Sequence, residues 1–283
     1  MRSAEMDLGL LEGLYQNQRF RFFELVESSD STERRDVGWG FVGVVNDSTS
    51  ELGLVSGFAE QGQSVEEIPL SGIQIFAGYQ TNDWSLQKPP FSEKAPETYQ
   101  QGSVFLGTSV DLSRSSFLNH SFLTIRGLLS LGTVNGVLAD ATAERYRFNS
   151  FLMGNLEVGF AKNFHLWNRF YLGGEVGLGL YRSALYMDDL NNTFEDLTSE
   201  WFGNTFRASL VFNVELTPQL SLLGSLGQQY SNVWYQEYVD DDNSSYCYET
   251  ALGGFDADYG GKQISLSFEY RMGRLNEFYQ RMF

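Results

Sequence analysis

The 283-residue sequence is poor in residues that many functions require. A single cysteine, Cys247, excludes an internal disulfide and any cysteine-built zinc site. Cations are scarce: 19 Lys and Arg stand against 36 Asp and Glu, a formal net charge of −17. Phosphate neutralisation needs clustered Lys and Arg, so no nucleic-acid partner is expected. Five prolines leave few enforced breaks in secondary structure. No run approaches the roughly 18 consecutive apolar residues of a transmembrane helix. The opening, MRSAEMDLGLLEGLYQNQ, has no basic stretch followed by a long apolar core, so no export signal is read there. The expectation is either a cytoplasmic protein or a sequence that is a mature form or an incomplete reading frame.

What is abundant is apolar and aromatic. Hydrophobic residues make up 42% and aromatics 15%, enough apolar surface to argue against disorder. These residues alternate. From Tyr146 to Ala161 one parity reads Tyr, Phe, Ser, Leu, Gly, Leu, Val, Phe, and the other Arg, Asn, Phe, Met, Asn, Glu, Gly, Ala. Successive side chains of a strand point to opposite faces, so one face is almost wholly apolar and the other mixed-polar. The same split recurs over Phe170–Tyr181 and Phe202–Leu216. Similar segments lie at 37–45, 52–59, 72–81, 102–112, 121–133, 219–235 and 261–272, giving ten readable strands.

Three features separate this pattern from that of a soluble sandwich. The segments run about 10 to 17 residues, against about 5 to 6 for an average strand. The apolar face is unbroken while the other carries charge at mid-strand. Aromatics gather near strand ends (Tyr79, Tyr146, Phe160, Phe170, Trp201, Phe202, Tyr230, Trp234, Tyr270), as in the interface girdles of membrane barrels. Connections also alternate in length. Short ones fall at 114–119, 162–168 and 216–219, and long ones rich in Asp, Asn, Glu and Ser at 82–101, 135–145, 187–200 and 236–260. The fold class expected is all-β: an antiparallel up-and-down transmembrane barrel over 37–273 with about ten strands. It leaves an N-terminal segment 1–36 and a C-terminal extension 274–283. Twelve strands is the alternative, if Arg19–Val26 and Leu8–Leu14 join the barrel.

Candidate sites are few. Gly38, Gly40 and Gly43 match GxGxxG, but they lie inside a strand and are followed by the turn Asn46-Asp47-Ser48. Close packing therefore explains them better than a dinucleotide loop, which must open a helix. His120 and His165 each border a short turn, and no GxSxG elbow occurs, so no catalytic residue is identified. Asp240, Asp241 and Asp242 form a candidate cation-binding loop, but they lack EF-hand spacing and a solvated acidic loop accounts for them better. By parity, Arg126, Arg147, Glu157, Glu175, Arg207, Glu215, Glu269 and Arg271 face the barrel interior. A narrow barrel should pair such charges, because unpaired buried charge is costly. That predicts a plugged lumen; a water-filled, cation-favouring path is the competing reading.

The last segment, Gly261-Lys-Gln-Ile-Ser-Leu-Ser-Phe-Glu-Tyr270, is a Gly followed by alternating apolar and aromatic residues, and the chain ends on Phe283. In this the chain resembles bacterial outer-membrane β-barrel proteins over about residues 37–283, as an architecture rather than as one protein. The resemblance implies residence in the outer membrane among its lipids, short periplasmic turns, long extracellular loops, and handling by the barrel-assembly machinery through the C-terminal strand. It departs from the pattern in that Arg274–Phe283 extends past the signal-like strand. The function expected is non-enzymatic, structural or surface-interacting, with no cofactor and no metal. A small cation-favouring channel and a lipid-modifying enzyme are the alternatives.

Overall fold

The computed structural model describes residues 3–7, 9, 11, 14–27, 32–60, 63–87, 97–113, 118, 120–139, 145–189, 197–240, 245–246, 256–258 and 260–273. Its strands are β1 Ser3–Met6, β2 Arg19–Glu27, β3 Thr32–Val45, β4 Ser50–Gly57, β5 Ser64–Glu67, β6 Leu70–Gln87, β7 Glu97–Asp111 and β8 Ser121–Ala139. They continue as β9 Arg145–Trp167, β10 Phe170–Asp189, β11 Leu197–Glu215, β12 Leu220–Asp240, β13 Ser245–Tyr246, β14 Asp256–Asp258 and β15 Gly261–Gly273.

All pairings are antiparallel and they build two sheets. β1 to β5 form an open sheet in the order β1-β4-β3-β2-β5. β6 to β12 pair in sequence, and β15 closes the ring between β12 and β6, so eight strands make a closed barrel. The tilt of these strands can be read from the register. The rung leaving Lys262 runs through Gln228, Ala208, Val176, Phe160, Leu123 and Val110 to Ile73. The next residue, Gln263, faces Asn82 on β6, so Lys262 lies beside Asp83 and one circuit displaces the register by ten residues. Eight tilted strands leave an interior just wide enough for side chains to fill.

The expectation of ten barrel strands is corrected here. The segments 37–45 and 52–59 are strands, but as β3 and β4 they belong to the N-terminal sheet, and the barrel starts at Leu70. Arg19–Val26 is also a strand of that sheet. The expected twelfth strand over Leu8–Leu14 is not seen among its described residues. The reason is that β3 carries an apolar pattern like a barrel strand's but buries both faces: Val42 enters a core with Met6, Leu14, Phe20, Phe22, Leu52 and Leu54, while Trp39 and Phe41 turn to Tyr171 of β10. The GxGxxG glycines lie within β3, where a Cβ on Gly40 would come 2.5 Å from the Gly53 carbonyl oxygen of β4.

The barrel strands also outrun the alternating segments. β9 spans 23 residues and continues through the expected turn at 162–168, leaving Asn168 in a left-handed conformation (φ 47°) to reverse the chain. Strand pairing persists into the segments read as long loops (82–87, 97–101, 197–200), because cross-strand hydrogen bonds need no apolar face.

The apolar parity of the barrel points outward. Leu178 and Leu210 are 63% and 57% exposed, and Val104, Leu106, Ile125, Leu129, Leu156, Val158, Ile264 and Leu266 share that face. Aromatic pairs bracket the band: Trp167 with Phe170 (5.0 Å) at the short-turn end, and Phe202 with Trp234 (5.5 Å) towards the other.

Candidate functional site

The barrel interior holds two layers of paired charge. The first lies at mid-barrel. Arg207 on β11 grips Glu175 on β10 with both terminal nitrogens (2.7 and 2.9 Å) and donates through Nε to Glu157 on β9 (3.0 Å). Arg126 on β8 lies 3.5 Å from the same Glu157 carboxylate, stacks over the Phe105 ring at 4.5 Å and donates to Gln80, which also accepts from Gln263 (2.6 Å). Asn155 and Thr124 complete the carboxylates of Glu157 (3.0 Å) and Glu175 (3.3 Å). Four adjacent strands, β8 to β11, thus supply two carboxylates flanked by two guanidiniums at positions where the pleat points inward.

The second layer closes the short-turn end. Glu215, 0% exposed at the end of β11, forms an ion pair with Arg271 of β15 (2.8 Å), which also lies 3.5 Å from Glu269. Its other partner comes from outside the barrel. Arg19 on β2 of the N-terminal sheet reaches into the mouth and pairs with both Glu215 oxygens at 2.5 and 2.6 Å, a fork-on-carboxylate geometry. The Arg19 guanidinium also lies 5.6 Å from the ring centres of Trp39 and Phe41. Glu215 outweighs the cost of burying Arg19 and holds its guanidinium firmly in the charged form, above the usual arginine range. The two layers bring four guanidiniums to four carboxylates, and the fourth guanidinium is the one the sheet contributes.

Further contacts seat the sheet as a cap. Asn17 donates to Asp111 at the end of β7 (2.7 Å), and Arg169 in the β9–β10 turn donates to Ser56 (2.6 Å). Trp39, Phe41, Val55 and Ile68 pack against Tyr171 of β10. The Phe41 ring stands edge-on to both His120 and His165, each at 5.1 Å. Burial, aided by Arg19, holds the His120 imidazole down to about 4, so it is neutral at neutral pH. Between the two charge layers lies a cavity of about 60 Å³ lined by Gln74, Phe105, Ser109, Arg126, Glu175 and Glu269, room for a few waters.

Among the residues expected to face inward, Arg126, Glu157, Arg207, Glu215, Glu269 and Arg271 are buried in the lumen, and Glu175 nearly so. The side chain of Arg147 lies outside the described residues, as do Asp241, Asp242 and the side chain of Asp240. Among the described residues no cluster of three or more His, Cys, Asp or Glu could hold a metal ion. Sequence reasoning missed Arg19, Asn17 and Phe41. Each lies in the segment before the barrel, and their partners are 94 to 196 residues away in the first two cases. The one local signal was a strand, RFRFFELV, that places Arg19 and Arg21 on a single parity.

No protein-family model matches the chain, and no curated protein matches it in sequence. Solved structures are matched at low identity. Neisserial surface protein A (NspA) matches at TM-score 0.45 and 9% identity, covering 71% of this chain and 98% of its own. Ail, the attachment invasion locus protein of Yersinia pestis, matches at 0.41 and 12%, covering 71% and 97%. The outer membrane protease OmpT of Escherichia coli matches at 0.44 and 10%, covering 95% and 96%. All three are outer-membrane proteins, and no single family is marked out.

Proposed function

We propose that the protein is an integral outer-membrane β-barrel, non-enzymatic and closed to ions, that anchors a capped scaffold and turns its long acidic loops towards the cell exterior in a structural or surface-interaction role. The observation that carries this reading is the division of faces. An apolar belt is exposed all round the barrel, while four guanidiniums and four carboxylates are buried and paired inside it. Exposing such a belt to water is unfavourable and exposing it to lipid is not, whereas the buried pairs fill the space a pore would need. Both histidines support a structural role: their rings pack on Phe41 beneath the cap, and His165 Nε2 is bonded to the Asn168 carbonyl (2.6 Å). β15, which completes the ring, is the strand through which the barrel-assembly machinery would act.

Planar-bilayer recordings test the reading, with heat-modified gel mobility reporting that the inserted protein is folded. The wild type is expected to insert without steady conductance. Steady conductance would instead support the cation-favouring channel. A folded, monodisperse monomer in buffer without detergent would overturn the membrane assignment.

A further inference from the structure

The cap and the barrel meet around His120, which lies in the turn between β7 and β8 with a left-handed backbone (φ 52°) and donates its N–H to Ser113 Oγ (2.9 Å). Its ring is enclosed by Phe41 of β3 on the cap side and by Tyr171 of β10 (6.3 Å) on the barrel side. The charged and titratable groups facing it are Arg19 from β2, Lys162 and His165 from β9, Tyr171 from β10 and Glu215 from β11. Asp111 at the end of β7 and Arg271 on β15 complete the charged rim of the same junction. Among the described residues the carboxylate acting on His120 is Glu215, which is already held by Arg19 and Arg271. A proton arriving on His120 therefore meets two cations, a second imidazole and an apolar ring, with no uncommitted carboxylate among the described residues to receive it.

We propose that the N-terminal sheet is an acid-released cap, docked on the barrel while His120 is neutral and loosened when His120 takes up a proton. The covalent junction between the two sheets is short: Ile68 and Pro69 lead into β6, and Gly72 has a positive φ of 82°. The sheet keeps its own core when it leaves, since Met6, Phe20, Phe22, Val42, Leu52 and Leu54 pack on one another rather than on the barrel.

The sign of the effect follows from linkage. Docked, the His120 imidazole holds its proton only below about 4; released into water it regains its ordinary value near 6.5. The released form binds the proton more tightly, so acidification favours release through the window between those values and has no further effect above or below it. Across the whole window the released population should rise on the order of a hundred-fold.

The test uses the full chain in detergent micelles with Cys247→Ser as background and two single-cysteine reporters. Val55→Cys lies in the cap–barrel contact, and Val42→Cys lies in the sheet's own core. Labelling by 4,4′-dithiodipyridine is measured between pH 7.5 and 4.5, each rate divided by that of the urea-unfolded chain at the same pH. The expected result is a rise on the order of a hundred-fold at Val55→Cys, no rise at Val42→Cys, and loss of the Val55→Cys rise in a His120→Asn background, Asn being uncharged and tolerant of the left-handed conformation. Equal rates at both pH values, an unchanged rise with His120→Asn, or a parallel rise at Val42→Cys would overturn the proposal. If His120→Asn already releases the cap at pH 7.5, Lys162→Gln decides. Removing that cation should shrink the acid response, and an unchanged response would overturn the proposal.

Discussion

The barrel and the N-terminal sheet are built from the same alternating strands with the sign reversed. In β10 the apolar parity faces out, so Leu178 is 63% exposed while Tyr181 is buried. In β3 and β4 the apolar side chains face in: Val42 (0% exposed) and Leu52 enter the sheet's own core and Trp39 and Phe41 pack towards Tyr171, while the charges of β3 (Glu33, Arg34, Arg35, Asp36) are exposed. Period two states only that a strand has two unlike faces. Which face is solvated depends on the solvent. A sheet with one wet face hides its apolar side, and a barrel in lipid displays it. The two arrangements meet at Arg19, which lies on the polar parity of β2 and finds its partner in the polar lumen of the barrel.

Four substitutions probe that contrast. The largest effect is expected where the two regions join. Glu215→Ala leaves Arg19 and Arg271 buried without their common carboxylate and should cost about 3–5 kcal/mol in denaturant unfolding of the micelle-bound protein. A loss below about 1 kcal/mol would show that the second layer is not a closed network. Next, Leu52→Ala opens a cavity in the sheet core and should cost about 2–5 kcal/mol. Because the cores are separate, the barrel's heat-modified mobility should persist while the sheet becomes protease-sensitive; simultaneous loss of both would mean that they fold as one unit. Leu178→Arg places charge on the outward face of β10 and should cost about 2–4 kcal/mol in folding into lipid vesicles. A neutral effect would place that face in water. The smallest effect belongs to Arg182→Ala. Arg182 faces outward and pairs with Glu200 at 2.5 Å, but with its side chain 73% exposed it should contribute less than about 1 kcal/mol to unfolding in micelles.

The parts of this arrangement written in local periodicity were legible beforehand. All eight barrel strands were found, and the mid-strand charges Arg126, Glu157, Arg207 and Glu269 mark the inward parity by interrupting apolar runs. Two things were not local. β3 and β4 carry the same alternation as the barrel, and their separate pairing follows from contacts with β1, β2 and β5 that no period within a strand encodes. The pairing of Arg19 with Glu215 spans 196 residues and depends on the cap settling over one end of the barrel. From the sequence, Glu215 was one of several inward charges that should pair, with no partner assigned; nothing within β2 distinguishes Arg19 from a solvated arginine such as Arg21, which is 41% exposed.

The central claim, that one alternation is read in opposite senses by the two sheets, is tested most directly by a spin-label scan in lipid bilayers. Labels placed singly at 172–181 of β10 and at 38–45 of β3 are compared for collision with oxygen, which partitions into lipid, and with a water-soluble nickel chelate. Along β10 the even positions should collide with oxygen and not with nickel, and the odd positions with neither. Along β3 the label at 42 should be shielded from both. Nickel access at the even positions of β10, or oxygen access at 42 equal to that at 178, would contradict the account.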